Sequence, residues 1–345
     1  MRSTSVAQRR LHEPTRVPLI GRRTFATLAL AAIPGFARAT RPFRVALIMN
    51  GTIGDGGWNQ LAYMGLQQVS RAGCVTGYAE NVAQADVMAM SRGYAEDGYD
   101  LVIGHGFEFT ATFQEIGPDY PDQSFFVTAF APDDTIPKNV AFVDMNYYAL
   151  SYAAGALAAL IAPAGRGVGF VGGQDNPSQR RMMYRFEDGA RATVPGINAM
   201  GIVPGDFNNA SLGREAASTM IGHGAGVIWH AADVTGLGAL RGAEEAGVRA
   251  IGCYTDQWMV APKAVASSTV INIPWMVEEI VRLTQARAFP GGGIWAPRLD
   301  QLWAMKWRGG TVNPALVTAA AADRFAQIWS GLSNGTINPQ PATGG

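Results

Sequence analysis

A chain of 345 residues that is 48% hydrophobic and 16% charged carries enough apolar material for one large or two medium globular domains. Its formal charge is zero, but residues 1–39 hold seven Arg and one Glu, so the remainder carries 20 basic and 26 acidic residues, a net −6 that makes nucleic acid a poor partner. Two cysteines, Cys74 and Cys253, do not make a disulfide framework; each lies in an apolar, strand-like run and is expected as a buried thiol.

Residues 22–39 read RRTFATLALAAIPGFARA: two arginines, a short apolar stretch, then Ala37-Arg38-Ala39. This is the order of an export signal with an A-x-A cleavage site. The apolar stretch falls short of the roughly 20 residues of a membrane span, and Pro34 and Gly35 interrupt it. Arg22-Arg23 resembles the twin-arginine signal. Residues 1–39 are therefore expected to be removed. No cysteine occurs in residues 1–73, so no lipid anchor is expected, and the product should be periplasmic.

From there, apolar runs alternate with segments of helical period. Strands are predicted at 43–50, 75–81, 100–106, 124–130, 139–145, 167–173, 226–232 and 249–255, and helices at 58–72, 86–97, 109–118, 148–162, 178–192, 209–223 and 236–246. The rhythm is βαβ, which implies parallel sheets covered by helices on both faces. It runs too long for one compact sheet. An α/β chain with two doubly wound parallel-sheet lobes is expected: residues 40–145 begin lobe 1 and residues 146–268 make lobe 2. The tail 269–345, with a helix near 275–287, a strand-like 302–307 and a helix near 318–331, should recross and contribute to both. Several crossings make a multi-strand hinge, with a ligand cleft between the lobes.

Ligands of such sheets sit at the C-terminal strand ends. The first such turn, GDGGWN (54–59), has neither G-x-G-x-x-G nor GK[ST], and its Asp55 opposes a phosphate. The glycines leave Asp55, Trp58 and Asn59 to face the cleft, with an indole for stacking and an amide for the edge of a heterocycle. Packing for Trp58 and helix capping for Asn59 are the alternatives. A second Trp, Trp229, ends the strand at 226–232, and two such rings would sandwich a planar ligand. Phe107, Asn146, Tyr147, Asp233, Tyr254 and Asp256 also follow strands and are candidates for ligand contacts.

Catalytic and metal constellations are thin. His105, His223 and His230 show no zinc-ligand spacing, and G-x-S-x-G is absent, so neither a metal, a cofactor nor an enzyme activity is expected. His230 reads as a hydrogen-bonded core residue, and His105 is more open but without an evident partner. Trp295, Trp303, Trp307 and Trp329 read as packing of the tail.

The segments GDGGWNQLAYMGL (54–66), YAEN (78–81), DLVIGHGFEF (100–109), GVGFVGG (167–173), GDFNN (205–209), GVIWHAADVTGLG (226–238) and AIGCYTDQ (250–257), in this order, resemble the basic membrane protein (BMP) family of solute-binding proteins for ABC-type transporters of purine nucleosides. The resemblance implies a type I periplasmic-binding fold, working as a monomer with an ABC permease as partner. It also implies a purine stacked between Trp58 and Trp229, with Asn59 bonded to the base.

Three positions depart from the family pattern. Tyr254 stands where an aspartate of G-V-D-x-D-Q meets the ribose hydroxyls, Ile271 or Asn272 where a lysine is usual, and Asp233-Val234 where G-G is usual. Losing an ionic acceptor and an ammonium removes charge-assisted bonds to a diol. A free nucleobase is therefore expected over a nucleoside. Another flat heterocycle such as a flavin is the alternative, and a periplasmic nucleoside hydrolase or a repressor sensor domain are competing classes.

Overall fold

The computed structural model describes residues 41–129 and 135–339, and the expected export signal lies outside them. Apolar β-branched runs followed by amphipathic segments give, in chain order, β1 (Arg44–Met49), α1 (Trp58–Arg71), β2 (Val75–Ala79), α2 (Val87–Glu96), β3 (Leu101–His105), α3 (Thr110–Ile116), β4 (Ser124–Val127) and β5 (Val140–Val143). Then come α4 (Tyr147–Ile161), β6 (Gly167–Gly172), α5 (Pro177–Thr193), β7 (Ala199–Ile202), α6 (Ala210–Gly222), β8 (Ala225–Ala231), α7 (Asp233–Glu245) and β9 (Arg249–Tyr254). The chain closes with β10 (Val265–Ile271), α8 (Ile273–Gln285), β11 (Gly293–Trp295), α9 (Leu299–Leu302), β12 (Trp303–Lys306) and α10 (Ala319–Ser333).

The strands form two six-stranded sheets, ordered β11-β5-β4-β3-β1-β2 and β12-β10-β9-β8-β6-β7. The first is parallel throughout. The second is parallel except for β12, which runs antiparallel to β10. Leaving out β11 and β12, both sheets have the same winding. Each reverses direction beside its first strand, between β1 and β3 in one and between β6 and β8 in the other, and such a reversal opens a crevice at the C-terminal strand ends. The strand β7 escaped the sequence reading because AMGI is four residues long and lies half-buried at a sheet edge, where neither alternation nor an apolar run is required of it.

The tail crosses between the sheets. After β10, α8 packs on α1, where Gly65 faces Val277 and Pro274, and β11 then joins β5 of the first sheet before β12 returns to the second. The crossing segments are tied together: the Asp144 amide donates to the Trp295 carbonyl, the Trp303 indole donates to the Met145 carbonyl at 2.7 Å, and the Asn272 amide donates to the Leu302 carbonyl.

Alternation along each strand splits the core. Val45, Leu47 and Met49 of β1 share one apolar cluster with Val227, Trp229 and Ala231 of β8, while Ala46 and Ile48 face a second cluster and Ile228 a third. Within the large cluster α4 and α5 approach so closely that Gly155 meets the Phe186 carbonyl and Gly189 the Tyr152 carbonyl, leaving no room for a Cβ at either position. Cys74, half-buried rather than buried, accepts a 3.7 Å bond from the Gln285 amide, and Cys253 is buried in β9; both are free thiols.

Candidate ligand-binding site

The turn between β1 and α1 is organised by Asp55. Its Oδ1 accepts from the Gly57 amide at 2.9 Å and the Gln60 amide at 3.1 Å, and its Oδ2 accepts from the Asn59 amide and the Asn59 Nδ2, both at 2.8 Å. A helix begins with backbone N–H groups that lack intrahelical partners, and a carboxylate placed among them also opposes the positive end of the helix dipole. Asp55 therefore caps α1 instead of presenting a free carboxylate to solute. Asn59 is 7% exposed, and its side-chain amide donates one N–H to Asp55, a bond that holds the turn.

This cap places Trp58 as the first residue of α1, half-buried, with its indole stacked on the His105 imidazole at 4.2 Å between centroids and 20° between planes. The Trp58 carbonyl can only accept, so His105 Nε2 carries the proton in their 3.0 Å bond, and His105 Nδ1 accepts from the Thr128 hydroxyl at 2.9 Å. Burial lowers the His105 pKa to about 4, so the ring is neutral. These are the partners that the sequence did not disclose, because Thr128 lies one strand over from His105.

The second lobe answers with Tyr254. This residue has φ of 70°, and the Thr255 amide donates to the Cys253 carbonyl at 2.9 Å across it. A three-residue turn with positive φ is rare for a residue with a side chain and is retained where its surroundings impose it. The turn carries the Tyr254 ring to 5.7 Å from Trp58 and 6.4 Å from Trp303, and Tyr147, at the start of α4, lies 5.9 Å from Trp303. The Thr255 hydroxyl donates to the Gly56 carbonyl at 3.2 Å, closing the second lobe onto the first. Trp303, assigned to tail packing by sequence, does pack: it is 2% exposed, between the Tyr254 and Tyr147 rings.

Asp233 opens α7 with φ of 46°, half-buried, and its Oδ1 has no hydrogen-bond partner among the described residues. Burial first, then the charges of Asp55 and Glu108, push its carboxyl up to about 8. Glu108, which sequence reasoning did not single out, is itself raised by burial. Burial likewise pushes the Tyr147 and Tyr254 phenols well above their ordinary value.

The remaining expected residues are held by other partners or lie apart from these rings. Trp229 is 0% exposed, stacked on Phe186 at 5.6 Å and 19°, tilted against Phe170, and bonded through its indole N–H to the Thr269 hydroxyl at 3.3 Å. It points from β8 onto the α4 and α5 side, two residues short of the strand end, so both of its faces belong to the core. The expected Trp58–Trp229 sandwich is thereby corrected, and the ring opposite Trp58 is Tyr254. Asn146 gives its amide to the Pro297 carbonyl at 2.7 Å and ties two crossing segments. Asp256 accepts from the Arg308 amide at 2.8 Å, and Phe107 is 46% exposed. His230 donates from Nε2 to the side-chain amide oxygen Oε1 of Gln257 at 2.8 Å, and burial lowers its pKa to about 4, which makes it a neutral core residue.

Aromatic rings at the strand ends of two like-wound lobes match a receptor cleft, and the family model for ABC transporter substrate-binding proteins of the PnrA-like (Bmp) type matches residues 43–301. The chain belongs to this family. Among its relatives, the CD4+ T-cell-stimulating antigen of Listeria innocua is 27% identical over 283 residues, 75% of this chain and 78% of that protein. Basic membrane protein A of Borreliella burgdorferi is 26% identical over 233 residues, 67% of this chain and 68% of that protein. An ABC transporter solute-binding protein from Aeropyrum pernix K1 superposes with a TM-score of 0.77 at 18% identity, over 88% of this chain and 94% of that one. The Bmp protein thus has the type I periplasmic-binding fold and is a solute-capturing component of an ABC-type system. Among the described residues, no helix is long and apolar enough to cross a membrane.

Proposed function

We propose that this Bmp protein captures a purine-like free base between its lobes and delivers it to an ABC permease, acting as a periplasmic monomer after removal of residues 1–39 by twin-arginine export. The observation that carries the ligand class is the indole of Trp58, held by the Asp55 cap and the His105 ring at the crevice of the first sheet and faced by Tyr254 from the second. Trp58 and Tyr254 now touch, 5.7 Å between centroids and tilted by 53°, so a flat ring enters between them only when the lobes part to give about 7 Å, after which it gains roughly 1–3 kcal/mol for each stacked face. The preference for a base over a nucleoside rests on Tyr254, a bulky phenol at the position of the family's ribose-binding carboxylate. Mass spectrometry of the ligand that copurifies with the protein, followed by calorimetric titration with adenine, hypoxanthine, xanthine, guanine and their nucleosides, tests the reading. Tighter binding of the nucleosides overturns the base preference, and binding of none of the eight overturns the purine reading.

A further inference from the structure

The charges around the cleft are one-sided. The groups that bear electrostatically on Asp233 are Asp55 and Glu108; on Tyr254 they are Cys253, Tyr147, Asp233 and Asp55, and on Tyr147 they are Cys253 and Asp233; no Lys or Arg is among them in the described residues. His105, beside Asp55, is neutral. Asp55 spends its oxygens on the α1 cap, but Asp233 Oδ1 is enclosed and unpartnered. Tyr254, 5% exposed, ends β9, which pairs with β8, the strand that leads into Asp233. Trp58, Tyr254, Trp303 and Tyr147 form a continuous series of rings, with successive centroids 5.7, 6.4 and 5.9 Å apart. These acids do not group into a metal site among the described residues.

Aromatic faces attract cations through their quadrupoles, and a desolvated carboxylate is relieved by a charge-assisted donor far more than by a neutral one. Near neutral pH the Asp233 carboxyl keeps its proton, which a cationic solute would displace to form an ion pair, a gain that a neutral heterocycle does not offer. We infer that the solute is an organic cation, a flat heterocycle bearing a positive charge by N-alkylation or as an amidinium, and that Asp233, where the family usually has glycine, is the residue that selects it. This inference rests on the proposed capture of a flat ring and adds its charge.

Paired titrations test it. The pairs are 9-methyladenine with 1,9-dimethyladeninium, and nicotinamide with 1-methylnicotinamide, each differing by one methyl group and one charge. The expected result is that the cation binds at least about tenfold more tightly than its neutral partner in one pair or both. Asp233→Asn should remove that preference, and Glu108→Gln should lower it; thermal melting establishes that each variant is folded. Binding of 9-methyladenine with no charge preference in either pair overturns the inference and leaves the purine reading standing. Binding of 1-methylnicotinamide alone supports the inference and overturns the purine reading, and binding of none of the four overturns both.

Discussion

The Trp58 indole lies flat on the His105 imidazole, 4.2 Å between centroids, and the same histidine bonds the Trp58 carbonyl, so one neutral ring supports both the side chain and the backbone of the proposed stacking residue. Trp58→Ala should weaken solute binding about tenfold to a hundredfold, the value of one stacked face. Trp58→Phe should keep most of the affinity. Calorimetric titration with the copurified solute gives both numbers, and equal affinity of Trp58→Ala and the parent protein would remove the stack from the site.

Trp229 separates packing from binding. It is enclosed by Phe170, Phe186 and Thr269, so Trp229→Ala should cost about 3–5 kcal/mol of stability, as for a large core aromatic. Trp229→Phe should cost less, and the folded variant should bind solute within about twofold of the parent, because nothing in the cleft has been removed. Chemical denaturation and titration of the same preparation check this; a large loss of affinity in a stable Trp229→Phe would return the ring to the cleft.

Asp233 has its folded pKa raised from the ordinary 3.8 to about 8, chiefly by burial. An acid of this kind holds more protons folded than unfolded, so its contribution is neutral near pH 4 and becomes increasingly destabilising as pH rises through the interval to about 8. Asp233→Asn should therefore be more stable than the parent by roughly 1–3 kcal/mol above pH 8, with the gain shrinking toward pH 4. Denaturation at pH 5, 7 and 9 measures it. A gain of the same size at all three values would show that the carboxyl is not the cause.

Tyr254→Asp puts an acidic acceptor back at the turn, and aspartate tolerates positive φ better than most residues. Nucleoside affinity should rise relative to that of the matching base by about tenfold, the worth of a hydrogen bond to a charged group. Competition of adenosine against adenine on the variant and the parent reads the ratio directly, and an unchanged ratio would mean that Tyr254 does not set the choice.

Much of the architecture was legible because it is written in local periods. Parallel strands buried on both faces must be continuous apolar runs, and the helices over them must be amphipathic, so residues 44–105 could be assigned without tertiary information. The turn GDGGWN could be recognised as a site of aromatic presentation, because Trp58 follows a strand and opens a helix. The sequence also marked Asp233 and Tyr254 as departures from the family pattern at strand ends.

Local sequence patterns specify the two-lobed α/β class and point to the strand ends as the place of a candidate site. Tertiary structure alone decided what each side chain does there. Trp58 and Trp229 look alike in sequence, each at a strand end before a helix. One lies past its strand, where the chain faces the other lobe, whereas the other lies within its strand, where alternation turns it under helices α4 and α5. Asp55 was given to α1 by four donors that converge only when the turn is folded. Tyr254 was given to the cleft by a positive-φ turn and by the first lobe's loop closing over it. The raised pKa of Asp233 likewise comes from burial and then from Asp55 and Glu108, which lie far apart in the chain and act on it because electrostatic interaction depends on distance in space.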